Sequence, residues 1–184
     1  ERLDQVAAEG LGDNPDEAAR RALDLVASLS THDRLTRGHT ERVRAEVIAR
    51  ELGLDETERL HLAWGVLLHD IGKLAVPAEI LNKESELTPE EWSVLRHHPA
   101  AGQAILAPLA GWLDEWVRAA GEHHERWDGQ GYPAGLAGTG ISLAGRITAV
   151  ADAYDVITSV RSYKKPMSPA AARQEPIFTT SGRG

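Results

Sequence analysis

The chain has 184 residues, 42% of them apolar, a length suited to one domain with a real hydrophobic core. It contains no cysteine, which removes disulfide frameworks, zinc fingers and cysteine nucleophiles and fits a reducing cytosol. A net charge of −8, a pI near 5.5 and no basic stripe argue against binding DNA or RNA polymers, so a phosphate-bearing substrate needs a local positive site such as bound metal.

Residues 1–15, with Gly10, Gly12 and Pro15, read as a linker or N-terminal extension, and 16–184 as the domain. The start at Glu1 reads as a piece of something longer. From Asp16 to about Ser30, Ala19, Ala22, Leu23, Val26 and Leu29 recur at helical spacing. A second helix is predicted from about His39 to Leu52, with Val43, Val47, Ile48 and Leu52 inward and Gly53 as its stop. Asp55 caps a third, with Glu58 as its capping-box partner. This helix is the most apolar, through Leu67 and Leu68, and is expected in the middle of the domain. Leu62–Leu68 is too short to span a bilayer and no signal peptide is visible, so a cytoplasmic chain, or the cytoplasmic part of a membrane-attached one, is expected.

Thr88-Pro89-Glu90-Glu91 opens another helix, and Trp112, Leu113, Trp116, Val117 and Ala120 mark one reaching His124. The five tryptophans read mostly as core packing. Residues 128–140 hold five glycines and no helical period, which predicts a long loop. A helix over about 142–158 follows, and Ser168-Pro169 opens a last one. The expectation is an all-α bundle of about seven helices.

His69-Asp70 closes the most apolar helix, His123-His124 closes another, and His98-Pro99 and His39 sit at helix boundaries. Asp152 interrupts an otherwise apolar helix. Spacing leaves two readings for the His–Asp pair, a core hydrogen bond or a shared metal site. Imidazole and carboxylate without thiolate suit iron, manganese, zinc or similar divalent metals.

In order, the chain carries Thr36-Arg37-Gly38-His39, His69-Asp70-Ile71-Gly72-Lys73, Ile80-Leu81-Asn82-Lys83, Leu87-Thr88-Pro89-Glu90-Glu91-Trp92 and His98-Pro99. His123-His124-Glu125-Arg126-Trp127-Asp128-Gly129-Gln130-Gly131-Tyr132-Pro133, Val150-Ala151-Asp152-Ala153-Tyr154-Asp155 and Arg161-Ser162-Tyr163-Lys164 follow. An HD pair alone is common among phosphohydrolases, but this full set, over about residues 20–173, resembles the HD-GYP family of metal-dependent phosphodiesterases. The resemblance implies hydrolysis of cyclic di-GMP by a metal-bridging hydroxide, either to linear pGpG alone or on to GMP. It implies that His39, His69 and Asp152 bind one divalent metal, iron or manganese, and that His98, His123 and His124 bind another, with Asp70 bridging. It places Lys73 beside the scissile phosphate, Tyr132 against the ligand, and Arg161 and Lys164 on guanine or phosphate. Asp70 and Lys73 are thus the expected catalytic residues.

His97, His61 and His32 read as surface residues, and Asp155 either orients a ligand histidine or makes a structural hydrogen bond. Leu35 stands where some family members carry a glutamate associated with a third metal, so two metals are expected. The segment after Arg173, with Pro176, departs from the family's expected continuing helix. Competing functions are action on another cyclic dinucleotide or phosphoester, and a silent module that binds the nucleotide. A regulatory or sensory domain ahead of Glu1, a homodimer and a protein partner for the Gly-Tyr-Pro loop are the partners to consider.

Overall fold

The computed structural model describes residues 15–33 and 38–158. Among them the regular elements are helical, and the only strand-like feature is an isolated antiparallel bridge between Asp128 and Ala137. In chain order the helices are α1 (Pro15–His32), α2 (Gly38–Glu51), α3 (Glu56–Leu68), α4 (Ala78–Leu81), α5 (Pro89–Leu95), α6 (His98–Leu106), α7 (Ala110–Leu113), α8 (Ala119–Glu122) and α9 (Leu143–Thr158). Tight 3-10 turns at Ile71–Ala75 and Asp114–Arg118 link several of them. No helix among the described residues is long and apolar enough to cross a membrane. The helix expected from Ser168 lies outside them.

Both capping boxes form. Asp55 accepts from the Glu58 N–H at 2.9 Å while the Glu58 carboxylate accepts from the Asp55 N–H at 2.8 Å. Thr88 and Glu91 make the same exchange at the start of α5, with Pro89 in its first turn. These fix where α3 and α5 begin, and so where their opposite ends deliver the chain.

The expected central place of α3 is what packing gives. Its Leu68 joins Ala18, Ala22, Leu25 and Leu29 of α1, with Ile71, Leu106 and Leu113, in one buried cluster. Its Leu62 and Val66 join Ala45, Ala49, Trp116, Ile147 and Ala151 in a second. Each buried leucine contributes about 1.5–3 kcal/mol.

Two helix faces differ from the sequence expectation. Leu23 is 54% exposed on α1, and Val47 of α2 and Leu52 just beyond its end are exposed at 56% and 55%. Among the described side chains of α2 the buried positions are the alanines at 45 and 49, which let it lie close against α3 and α9. The helix expected over 112–124 is also broken. Asp114, the first residue of the 3-10 turn after α7, has a positive φ of 51°. An unbroken helix puts residues three apart on one face. The break instead sends Leu113 to the first cluster and Trp116 to the second. Of the tryptophans, Trp116 is buried and Trp64 packs edge-on against Trp112 at 5.4 Å, but Trp92 and Trp127 are exposed.

Candidate metal centre

The end of α3 delivers His69 and Asp70 into the turn at Ile71–Ala75, and that turn lies directly on the start of α6. Gly72 makes the approach possible: a Cβ there would stand 1.8 Å from the His98 carbonyl oxygen and 2.5 Å from the Gly102 nitrogen. Backbone on backbone, the contact sets Asp70 beside His98. His123 arrives from the end of α8, packed against α6.

Three imidazoles are oriented by their own helices. The Nδ1 atoms of His69 and His98 lie 2.7 Å from the carbonyls of Val66 and Leu95, and that of His123 lies 3.1 Å from both Ala119 and Ala120. A carbonyl only accepts, so Nδ1 carries the proton and Nε2 presents its lone pair. All three Nε2 atoms turn toward the Asp70 carboxylate, at 3.5 Å for His69, 3.5 Å for His98 and 3.7 Å for His123. His98 and His123 bring their Nε2 atoms within 3.2 Å of each other. Two bare nitrogens at that distance have no proton to share, and a cation between such donors relieves the opposition.

The donor atoms fall into two groups, each within 4.8 Å: His98, His123 and His124, and His69, Asp70 and His123. Nitrogen and carboxylate donors held this way, with second-atom bonds fixing the rings of His69, His98 and His123, fit a divalent metal. Burial pushes His98 below its usual range and His123 well below it, and burial together with His98 lowers His124 to about 3. These rings are therefore neutral at neutral pH. Burial pushes the Asp70 carboxyl up, but His69, Lys73, His123 and His98 outweigh it and hold it well below the carboxylate range. Lys73 donates to Asp70 at 2.7 Å and sits 3.1 Å from buried Asp33, and the two carboxylates overcome burial to raise its pKa.

The glycine-rich loop folds back over this cluster. Gly131 packs against residues 124–126 so closely that a Cβ would meet the Arg126 nitrogen at 2.4 Å. The Tyr132 N–H donates to the His124 carbonyl at 3.2 Å, and the Tyr132 ring stacks on the His124 ring at 4.7 Å. Arg96 places its guanidinium over the Tyr132 ring at 5.3 Å. Burial raises the Tyr132 hydroxyl to about 12, and Asp70 and Asp152 add to that rise. Buried Glu125 accepts from the N–H groups of Ala134, Gly135 and Leu136 at 2.7, 3.1 and 2.9 Å, which ties down the far side of the loop.

A family model described as an HD domain matches residues 24–175. The chain belongs to the HD domain family. The HD-GYP branch expected from the ordered motifs agrees with the curated relatives. A Thermotoga maritima cyclic di-GMP phosphodiesterase is 40% identical over 168 residues, covering 88% of this chain and 45% of the relative. A Pseudomonas aeruginosa cyclic di-GMP phosphodiesterase is 44% identical over 153 residues, covering 82% and 37%. A Vibrio cholerae 3'3'-cGAMP-specific phosphodiesterase is 37% identical over 162 residues, covering 86% and 31%. The chain thus spans less than half the length of each of these relatives.

Within the HD domain, the sequence-selected His69, Asp70, Lys73, His98, His123, His124 and Tyr132 come together. Asp152 lies half-buried on α9, and its charge reaches Tyr132. His39 stands in the first turn of α2, and its side chain lies outside the described residues, as do Leu35, Arg161 and Lys164. His97 is exposed, as expected. His32 is not a simple surface residue: its Nε2 lies 2.8 Å from the Val76 carbonyl, joining α1 to the turn after Lys73. His61 packs edge-on against Trp112. Asp155 makes an ion pair with Arg44 at 2.6 Å.

Asp33, Arg96, Glu122 and Glu125 escaped the sequence reading. Glu122 accepts from the Ser142 N–H at 2.7 Å and from Arg118, anchoring the start of α9. The signal available was position: Glu122 and Glu125 flank His123-His124, and Asp33 ends α1 ahead of the Thr36–His39 motif.

Proposed function

We propose that this HD domain is a metal-dependent phosphodiesterase that hydrolyses cyclic di-GMP to linear pGpG. The observation that carries it is the pair of donor groups sharing His123, one of them with Asp70, inside a chain of this family. We assign His98, His123 and His124 to one cation and His39, His69 and Asp152 to a second, with Asp70 between them. Iron and manganese suit the donors. Divalent cations held there supply Lewis acidity toward a phosphoryl oxygen and lower the pKa of water.

The chain's own groups support the chemistry. Asp70 stays anionic and His98, His123 and His124 stay neutral, so these four donors keep their lone pairs at neutral pH. Lys73 stays cationic beside Asp70, where it offsets charge on the reacting phosphate. Tyr132 stays protonated and can donate a hydrogen bond to the ligand. Arg161 and Lys164 complete the assignment as contacts to guanine or phosphate.

A second substrate, 3'3'-cGAMP, is favoured by the naming of the Vibrio cholerae relative. Anaerobically purified protein, supplied with manganese or ferrous iron, is to be given each cyclic dinucleotide and its products resolved by chromatography. Metal-dependent release of pGpG or GMP supports the assignment. Two bound metals with neither substrate cleaved would overturn it.

A further inference from the structure

A cyclic dinucleotide carries two phosphates, and only one of them can be at the histidine cluster while it is cleaved. The other needs a positive partner of its own, since the chain as a whole is acidic at −8. With Arg161 and Lys164 on guanine, that partner comes from the described residues. Lys73 cannot serve both, because it is tied to Asp70 and Asp33. Lys83, the cation on the neighbouring segment, is paired with Glu91 at 2.5 Å.

Arg96 is different. It follows α5 directly, two residues before His98, and its side chain is exposed. It pairs with no carboxylate among the described residues. Its guanidinium lies over one face of Tyr132, while Tyr132 stacks on His124. A continuous stack therefore runs from a donor of the metal cluster to an uncommitted positive charge. Stacking orients the guanidinium through its face and leaves its edge N–H groups free to donate, which is the geometry for two-pronged contact with phosphate oxygens.

We propose that Arg96 is a substrate-binding residue that holds the phosphate not being cleaved. This rests on the cyclic-dinucleotide activity proposed above. Tyr132 positions Arg96, so the loop and α5 grip the ligand together.

The test compares wild-type, Arg96→Ala, Arg96→Gln and Arg96→Lys proteins, all manganese-loaded, on cyclic di-GMP and on bis(4-nitrophenyl) phosphate, which has a single phosphate. Loss of a charge-assisted contact predicts a KM for cyclic di-GMP roughly tenfold or more higher in the Ala and Gln variants, with kcat little changed. Partial recovery is expected in the Lys variant, and no change on the single phosphodiester in any. An unchanged KM, or an equal loss on both substrates, would overturn the inference. If the wild type cleaves neither substrate, the proposed activity fails, and equilibrium binding of cyclic di-GMP then decides for Arg96. Binding roughly tenfold weaker in Arg96→Ala keeps the inference, and equal or absent binding in both proteins ends it.

Discussion

The Nε2 atoms of His98 and His123 face each other at 3.2 Å, while each ring's Nδ1 is engaged by a backbone carbonyl of its own helix. Neither ring can turn away without giving up that bond. The pair is therefore built for a cation and sensitive to protons when none is bound.

An acid-sensitivity prediction follows for the metal-free chain. His98, His123 and His124 have folded pKa values below the ordinary 6.5, so the unfolded chain takes up protons first as pH falls. Their contribution to stability is complete above 6.5 and is lost as pH falls toward the folded values. Asp70 acts in the same direction in a lower window, below 3.8. Urea midpoints of chelator-treated protein should drop between about pH 8 and about pH 5. A flat midpoint over that range would show that the histidines are not buried neutral.

His123 and His124 are assigned to the same cation, and their donor atoms lie in one group with His98. His123→Ala and His124→Ala should therefore lower the bound metal per chain to a similar extent, as measured by elemental mass spectrometry on purified protein. Full metal content in either variant would remove that residue from the site.

Gly72→Ala should be severe. Its Cβ would meet backbone atoms, the His98 oxygen and the Gly102 nitrogen, which cannot rotate aside as a side chain could. Forcing the turn off α6 should cost about 3 kcal/mol or more, and bound metal should fall with it. Gly111 provides the contrast, since it lies in α7 with nothing within 4 Å of an added Cβ. There an alanine should gain roughly 0.5–1 kcal/mol. Thermal melts and metal content of the two variants would decide, and a Gly72→Ala protein as stable as wild type would refute the contact.

Glu125→Gln replaces a carboxylate that accepts three N–H groups with an amide that has one oxygen. The loop should open more often, by about 1–3 kcal/mol for the lost acceptor. Hydrogen exchange at Ala134, Gly135 and Leu136 should speed up while the amides of α3 stay protected. Unchanged exchange would mean that the loop is held by something else.

What could be read from the sequence was chemistry written in neighbours. His69-Asp70 and His123-His124 are adjacent, and both capping boxes lie within four residues, so local spacing announces them. The helix faces were harder, because Ala45 and Ala49 carry little hydrophobic signal yet mark the side of closest approach, while Val47 and Leu52 carry more and point outward. The break at Asp114 answers to two separate clusters that no local pattern reveals. Asp33 and Arg96 act on groups brought from elsewhere in the chain, Lys73 and Tyr132. A lone acid or arginine has no spacing to betray such a partner.

Glu125 grips the loop through main-chain N–H groups alone. The attachment is thus blind to which side chains stand at 134 and 136, and any residue but proline preserves it. Gly135, at φ 68°, is the one of the three whose identity matters to the turn. Two exposed or half-exposed positions can consequently be diversified, labelled or recoded beside the candidate site with Tyr132 still seated on His124.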